Sequence, residues 1–315
     1  MDMINRVLRL KEFEDNPPVL VDVGASGAPP EEWRKIAFAS IYVGFDADLR
    51  ELDSTSKETD RFSRSYILNN IVSDRKGAHK FYYTKSPHCS STLLPLSESL
   101  QDWSFNHLFE VVQTGETDAI TLIDVLRDLS LDYVDWFKCD SQGTDLRLLQ
   151  SLGDLALRKV IVAELEPGIM DAYAGEDKIH RVMSFMEGYP FWMSDLKIKG
   201  PKRVRNVTLE AHFGRLERKL IPYSLRGSAF WGEMSYINAF RDKEILSKRN
   251  LLLGWVFSSL KGQHGFSMEL AQTGFAFFRD PIFQELLKNS ILSIRKNHWK
   301  VPFLLALRIL QRALT

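Results

Sequence analysis

The stretch Val19-Leu20-Val21-Asp22-Val23-Gly24-Ala25-Ser26-Gly27 constrains this chain more than any other. Val19, Leu20, Val21 and Val23 form an apolar run without alternation, the pattern of a parallel strand with both faces covered. The two glycines let backbone approach closely, and Pro29-Pro30 then open a helical pattern in whose first turn proline is tolerated. Strand, glycine loop and helix N-terminus together are the opening of a nucleotide-type α/β domain, whose site lies beyond the carboxyl ends of its strands. Asp22 narrows the ligand, because a carboxylate beside that loop repels a pyrophosphate and suits an ammonium group. The expected ligand contacts are therefore Asp22, Gly24, Ala25, Ser26 and Gly27.

The rest of the chain to residue 196 continues the alternation of strands and helices that makes a mostly parallel sheet. Glu31–Ser40 reads as a helix and Ile41–Phe45 as a second strand ending at Asp46, nineteen positions after Gly27. That spacing is close to the one expected of an acid gripping ribose hydroxyls. Ser65–Asn69 is a third strand, and its end brings Asn70 and Ser73 toward the adenine side of the same crevice. Ala78–Tyr83 reads as an outer strand and Val111–Thr117 as an edge segment; Leu122, Val125, Leu126 and Leu129 form the apolar stripe of a helix. Tyr133–Phe137 gives a central strand closing with Lys138-Cys139-Asp140, and Lys159–Ala163 another closing with Glu164-Leu165-Glu166. Phe191–Met193 is a further strand and Glu233–Ile237 the expected last one, and the core sheet is expected to hold seven strands.

Charge divides the chain where this pattern breaks. The sequence is neutral overall, with 41 basic and 41 acidic residues, yet residues 197–315 hold 21 Lys and Arg against 8 Asp and Glu. The two parts carry about +13 and −13, so they either attract each other or leave a basic face for an anionic partner. Residues 197–230 are expected to be a basic, irregular loop or hairpin inserted in a first domain of residues 1–237; residues 238–315 are expected to be a helical extension. Within it, Phe303–Leu314 sets apolar residues beside Arg308 and Arg312, and a peripheral membrane or homo-oligomer contact through this part is an open reading. Only Cys89 and Cys139 are present, the start lacks a signal-peptide core and the longest apolar runs are too short to span a bilayer; a cytoplasmic protein is expected. His88-Cys89 has no partners at zinc spacing and reads as an exposed loop pair.

Four stretches, taken together, resemble the FkbM family of S-adenosylmethionine-dependent methyltransferases: Asp22-Val23-Gly24-Ala25-Ser26-Gly27, Phe45-Asp46-Ala47, Asn70-Ile71-Val72-Ser73-Asp74 and Lys138-Cys139-Asp140-Ser141-Gln142-Gly143-Thr144-Asp145. The last is the specific one, although Gln142 and Asp145 stand where the family pattern has Glu. The resemblance implies a class I methyltransferase (Rossmann-like) fold, S-adenosyl-L-methionine as cofactor, and a hydroxyl of a sugar, glycan precursor or secondary metabolite as acceptor. Asp140 is then the residue that orients the acceptor or takes its proton. Lys138 is the cation that tunes that carboxylate, and Glu164 with Glu166 the sugar-hydroxyl contacts. Asp140, Glu164 and Glu166 are oxygen donors of the type Mg²⁺ takes, which leaves a divalent metal as an open reading beside the cofactor. A small-molecule or glycan acceptor and no nucleic acid are the expected partners. A degenerate cofactor-binding module in glycan assembly, or a nicotinamide-dependent oxidoreductase, are the alternatives.

Overall fold

The computed structural model describes residues 2–48, 50, 59–298 and 301–302, and the Phe303–Leu314 segment lies outside them. The chain divides into two compact units, residues 18–241 and residues 1–17 with 242–315. The boundary thus falls a few residues beyond the expected one, and the first helix groups with the last ones rather than with the sheet.

The larger unit is an α/β domain built on a seven-stranded sheet. Its strands are β1 (Val19–Val23), β2 (Ile41–Phe45), β3 (Arg64–Leu68), β6 (Trp136–Cys139), β7 (Val162–Leu165), β8 (Phe191–Lys199) and β9 (Trp231–Asn238). They lie in the order β3-β2-β1-β6-β7-β9-β8, parallel except where β9 runs antiparallel between β7 and β8. The sheet changes direction between β1 and β6, where open α/β sheets form their ligand crevice.

The structure departs from the sequence reading in three places. The outer and edge strands, β4 (Gly77–Thr84) and β5 (Val111–Ala119), leave the sheet and pair with each other as a separate antiparallel ribbon. Nearly all of β5 is exposed, so its pattern could not have marked it as part of a buried sheet. The connection from β8 to β9 is not irregular: it holds the short helices Asn206–His212, Arg215–Arg218 and Ile221–Ser224. The segment after the glycine loop is also shorter than expected, a helix Glu31–Arg34 followed by a 3-10 turn Ala37–Ala39.

One face of the sheet is apolar. Val19, Val21, Val23, Val43, Phe45, Phe137, Cys139 and Leu165 pack against Leu122, Leu126, Leu146, Leu149, Val182 and Met186 of the helices. The opposite face of the central strands carries a polar row in register: Gly44, Asp22, Lys138, Glu164 and Ser235. Lys138 Nζ donates to Asp22 Oδ1 at 2.9 Å, and the Tyr42 hydroxyl donates to Asp22 Oδ2 at 3.2 Å. Gly44 makes the second bond feasible, since a Cβ there would stand 2.6 Å from the Tyr42 ring that lies over it. Glu164 accepts a 2.8 Å bond from the Trp136 indole, and Trp136 packs edge-on against Trp33.

The smaller unit is helical: Asp2–Leu8, Lys248–Leu260, His264–Phe278 and Pro281–His298. Gly274 lets the Phe283 ring sit where a Cβ would be, the Trp255 indole donates to Ser290 Oγ at 2.9 Å, and Lys248 bridges Glu12 and Asp280. No helix among the described residues is long and apolar enough to cross a membrane.

The Asp22–Lys138 pair is the fold's most exacting contact, because removing one partner leaves the other charge buried. Lys138→Met is expected to lower unfolding free energy by about 2–4 kcal/mol in urea titrations, and Asp22→Asn added to it to restore part of that loss. Additive losses would show that the two side chains are not coupled.

Candidate active site

Beyond the carboxyl ends of β1, β2 and β6 lies a cleft of about 450 Å³, counting space open to solvent. Gly24, Asp46, Asn70 and Asp140 line it, as the sequence indicates. Ile71, Val72 and Phe81 give it an apolar wall, and Ser90, Thr92, Ser141 and Thr144 supply hydroxyls. Phe81 comes from the β4–β5 ribbon, so part of this wall is built by strands outside the sheet.

A second cavity, of about 1020 Å³, adjoins it. Phe105, Phe109, Tyr173, Phe230 and Trp231 form its aromatic lining, and Asp140, Glu166 and Glu176 its carboxylates. Asp140 lines both cavities and is the residue at which they meet. None of the described residues lining either cavity is Lys or Arg.

Asp140 is held from below and from one side. Its N–H donates to the Val23 carbonyl at 2.9 Å, and its own carbonyl sits where a Gly24 Cβ would be, 2.1 Å away. Gly24 is therefore glycine for the meeting of two loops, with φ of +82° as a second reason. Oδ1 of Asp140 accepts from the Gln142 amide at 2.6 Å, and Oδ2 accepts no hydrogen bond among the described residues. The Tyr173 hydroxyl lies 2.9 Å from both Gln142 Oε1 and the Cys89 carbonyl, which completes a chain from cavity wall to carboxylate. With Glu at 142, two carboxylates would face each other at this point; Gln places a donor there instead.

Asp145 lines neither cavity. It is fully buried, accepts from the Ser141 N–H at 2.9 Å and from the Glu166 N–H at 2.7 Å, and so ties the loops after β6 and β7 together. Burial, with Asp140 nearby, pushes its carboxyl up to about 6. Burial likewise raises Asp46 to about 6, against the Asp48 N–H that holds its Oδ1. Glu166 is pushed up to about 9 by burial and by Asp140, and the two carboxyls titrate as a pair. Asp140 is itself raised by burial, although Lys138 and Gln142 pull it down.

Several expected site residues lie elsewhere. Asp22 is 3% exposed, spends its carboxylate on Lys138 and Tyr42 and lines neither cavity, so the argument from its charge to an ammonium group loses its geometric basis. Lys138 lines neither cavity: its ammonium points to Asp22, and only its field reaches Asp140 and Glu166. Glu164 also lines neither; it faces Trp136, and Glu166, two residues on, takes its expected place. Ala25 is buried with its N–H on the Phe45 carbonyl, Ser26 Oγ lies 3.4 Å from His88 Nδ1, and Gly27 lines no cavity. Ser73 is buried on Asp74 and His79. Cys89 of the presumed exposed pair is buried and lines the second cavity beside His88. Among the described residues no three His, Cys, Asp or Glu side chains gather as a metal-holding group. The aromatic lining of the second cavity carried no sequence signal, since its residues come from positions 105 to 231 and meet only in the fold.

Comparison with protein-family models, with curated proteins and with solved structures finds no match to this chain.

The raised Glu166 gives a pH signature. Its folded value lies above the ordinary 4.5, so the stability it contributes is complete below pH 4.5 and is lost as pH rises through about 9. Glu166→Gln removes that loss. The variant's stability relative to the parent is expected to rise by more than about 1 kcal/mol between pH 5 and pH 9 in urea titrations. A pH-independent difference would mean that Glu166 ionises freely.

Proposed function

We propose that this protein is an S-adenosyl-L-methionine-dependent O-methyltransferase of the class I type. The observation that carries the reading is the junction: two cavities that share one carboxylate, Asp140, at the point where the sheet changes direction. The seven-stranded, mostly parallel sheet is compatible with the class I core that the motif resemblance implies.

The smaller cleft suits this cofactor by its chemistry. Asp46 is the acid for ribose hydroxyls, and Ile71, Val72 and Phe81 offer an apolar wall to a flat base. With Asp46 and Asp140 and no cation among its described lining residues, the cleft favours a positively charged ligand over a pyrophosphate. This replaces the argument from Asp22 and weighs against a nicotinamide dinucleotide.

The cofactor, when bound, supplies an activated methyl group on a sulfonium. The chain's own residues then align an acceptor and remove one proton. Asp140 faces the acceptor cavity with Oδ2 open to a hydroxyl, and its raised proton affinity makes it a better base than an ordinary carboxylate. Gln142 and Tyr173 fix its orientation. Glu166, protonated, can donate to an acceptor oxygen, while the aromatic walls take the acceptor's apolar faces. The acceptor is a hydroxyl-bearing small molecule or glycan.

Calorimetry with S-adenosylmethionine and its demethylated product is expected to give micromolar binding, and Asp46→Ala to weaken it at least tenfold. No binding to either compound would end the reading, and binding of NAD(H) with enhanced fluorescence would replace it. With an acceptor panel, release of S-adenosylhomocysteine is expected to fall at least 100-fold in Asp140→Asn, with cofactor affinity unchanged. Equal turnover would take the proton-removing role from Asp140. Cofactor binding without turnover on any acceptor would favour the degenerate module.

A further inference from the structure

The connection between β8 and β9 presents a surface that the proposed chemistry does not use. Residues 197–230 hold nine Lys and Arg against two acidic residues. The segment leaves the sheet at Lys199 and returns at Phe230, where the Phe230 N–H donates to the Lys199 carbonyl at 2.8 Å and the Ser228 N–H to the Pro201 carbonyl at 3.0 Å. Leu209 and Ile221 are buried and anchor its helices.

Its outer side is unusual. Leu216 in the helix Arg215–Arg218, Leu220 in the turn after it and Tyr223 in the helix Ile221–Ser224 are 77%, 63% and 88% exposed. Val207 is 68% exposed. Exposures of this size mean that each side chain projects into water rather than walling a groove, and none of them lines either cavity of the site. Part of the positive charge is used internally: Arg203 and Arg205 hold Asp102, and Arg218 holds Glu210. Arg215, Lys219 and Arg226 form no ion pair among the described residues, and Arg215 and Lys219 lie one helical turn apart beside the exposed leucines.

We propose that this segment docks the protein on an anionic lipid surface. Projecting aliphatic and tyrosyl side chains enter the boundary between head groups and acyl chains, and the unpaired cations meet the negative head groups. The charge argues against the other occupants. A second copy packed on the same face would bring like charges together. A nucleic acid would use the cations but leave the leucines in water. The stem of the segment also matters for the site, because Phe230 and Trp231 wall the larger cavity.

Sedimentation of the full chain with vesicles tests this, and it needs no cofactor, so its outcome is separate from that of methyl transfer. Binding is expected to phosphatidylcholine vesicles containing phosphatidylglycerol, not to phosphatidylcholine alone, and to weaken as salt is raised. Replacing Arg215, Lys219 and Arg226 with Gln is expected to weaken binding on the order of 100-fold, at roughly fivefold per charge. Leu216→Ser with Leu220→Ser is expected to weaken it at least tenfold without changing the melting temperature, since both side chains are exposed. Three results would overturn the proposal. They are absence of binding to the anionic vesicles, equal binding by parent and variants, and light scattering that shows a dimer for the parent and a monomer for the leucine variant.

Discussion

A lysine reaching sideways between two strands underlies the architecture of this site. Lys138 of β6 meets Asp22 of β1 across the line where the sheet changes direction. In an interior of low dielectric neither charge is tolerated alone, so the pair fixes those strands side by side with each carboxylate oxygen satisfied. Tyr42 gives the second donor, and Gly44 clears its path. Two residues further along the chain, Gly24 admits the Asp140 carbonyl, and the loops after β1 and β6 meet there.

That base positions a concentration of carboxyl groups. Asp140, Asp145 and Glu166 stand near one another, each raised above its ordinary range by burial. They serve different ends. Asp145 binds two backbone N–H groups and holds the loops; Glu166 is pushed up by burial and by Asp140 and lines the larger cavity; Asp140 is steadied by one amide and faces both cavities. Gln142 places an amide donor rather than a further negative charge beside Asp140, and Asp145 reaches both loops while lining neither cavity.

Much of the sheet was legible because its signals are local. Val19–Val23 and Ile41–Phe45 are the strands expected, residue for residue, since five buried positions in a row leave no other reading. Asp46, Asn70 and Asp140 were found because strand ends of a parallel sheet converge on one edge. The errors at Asp22 and Glu164 share a cause: both belong to strands, and the side chains of a strand commit to one face or the other. Sequence spacing places them near the crevice, but a facing lysine or tryptophan claims them first. Ser73 was lost in the same way to Asp74 and His79.

The sequence by itself determined the alternation of strands and helices, the glycine loop, the strand-end acids and the basic character of residues 197–230, because each depends on neighbours within a few positions. Tertiary structure alone decided that β4 and β5 leave the sheet to wall the cleft, and that Phe105, Tyr173, Phe230 and Trp231 enclose a second cavity. It also decided which acids line the cavities and which face a side-chain partner. Those outcomes depend on contacts between residues far apart in the chain, and no periodicity records such contacts.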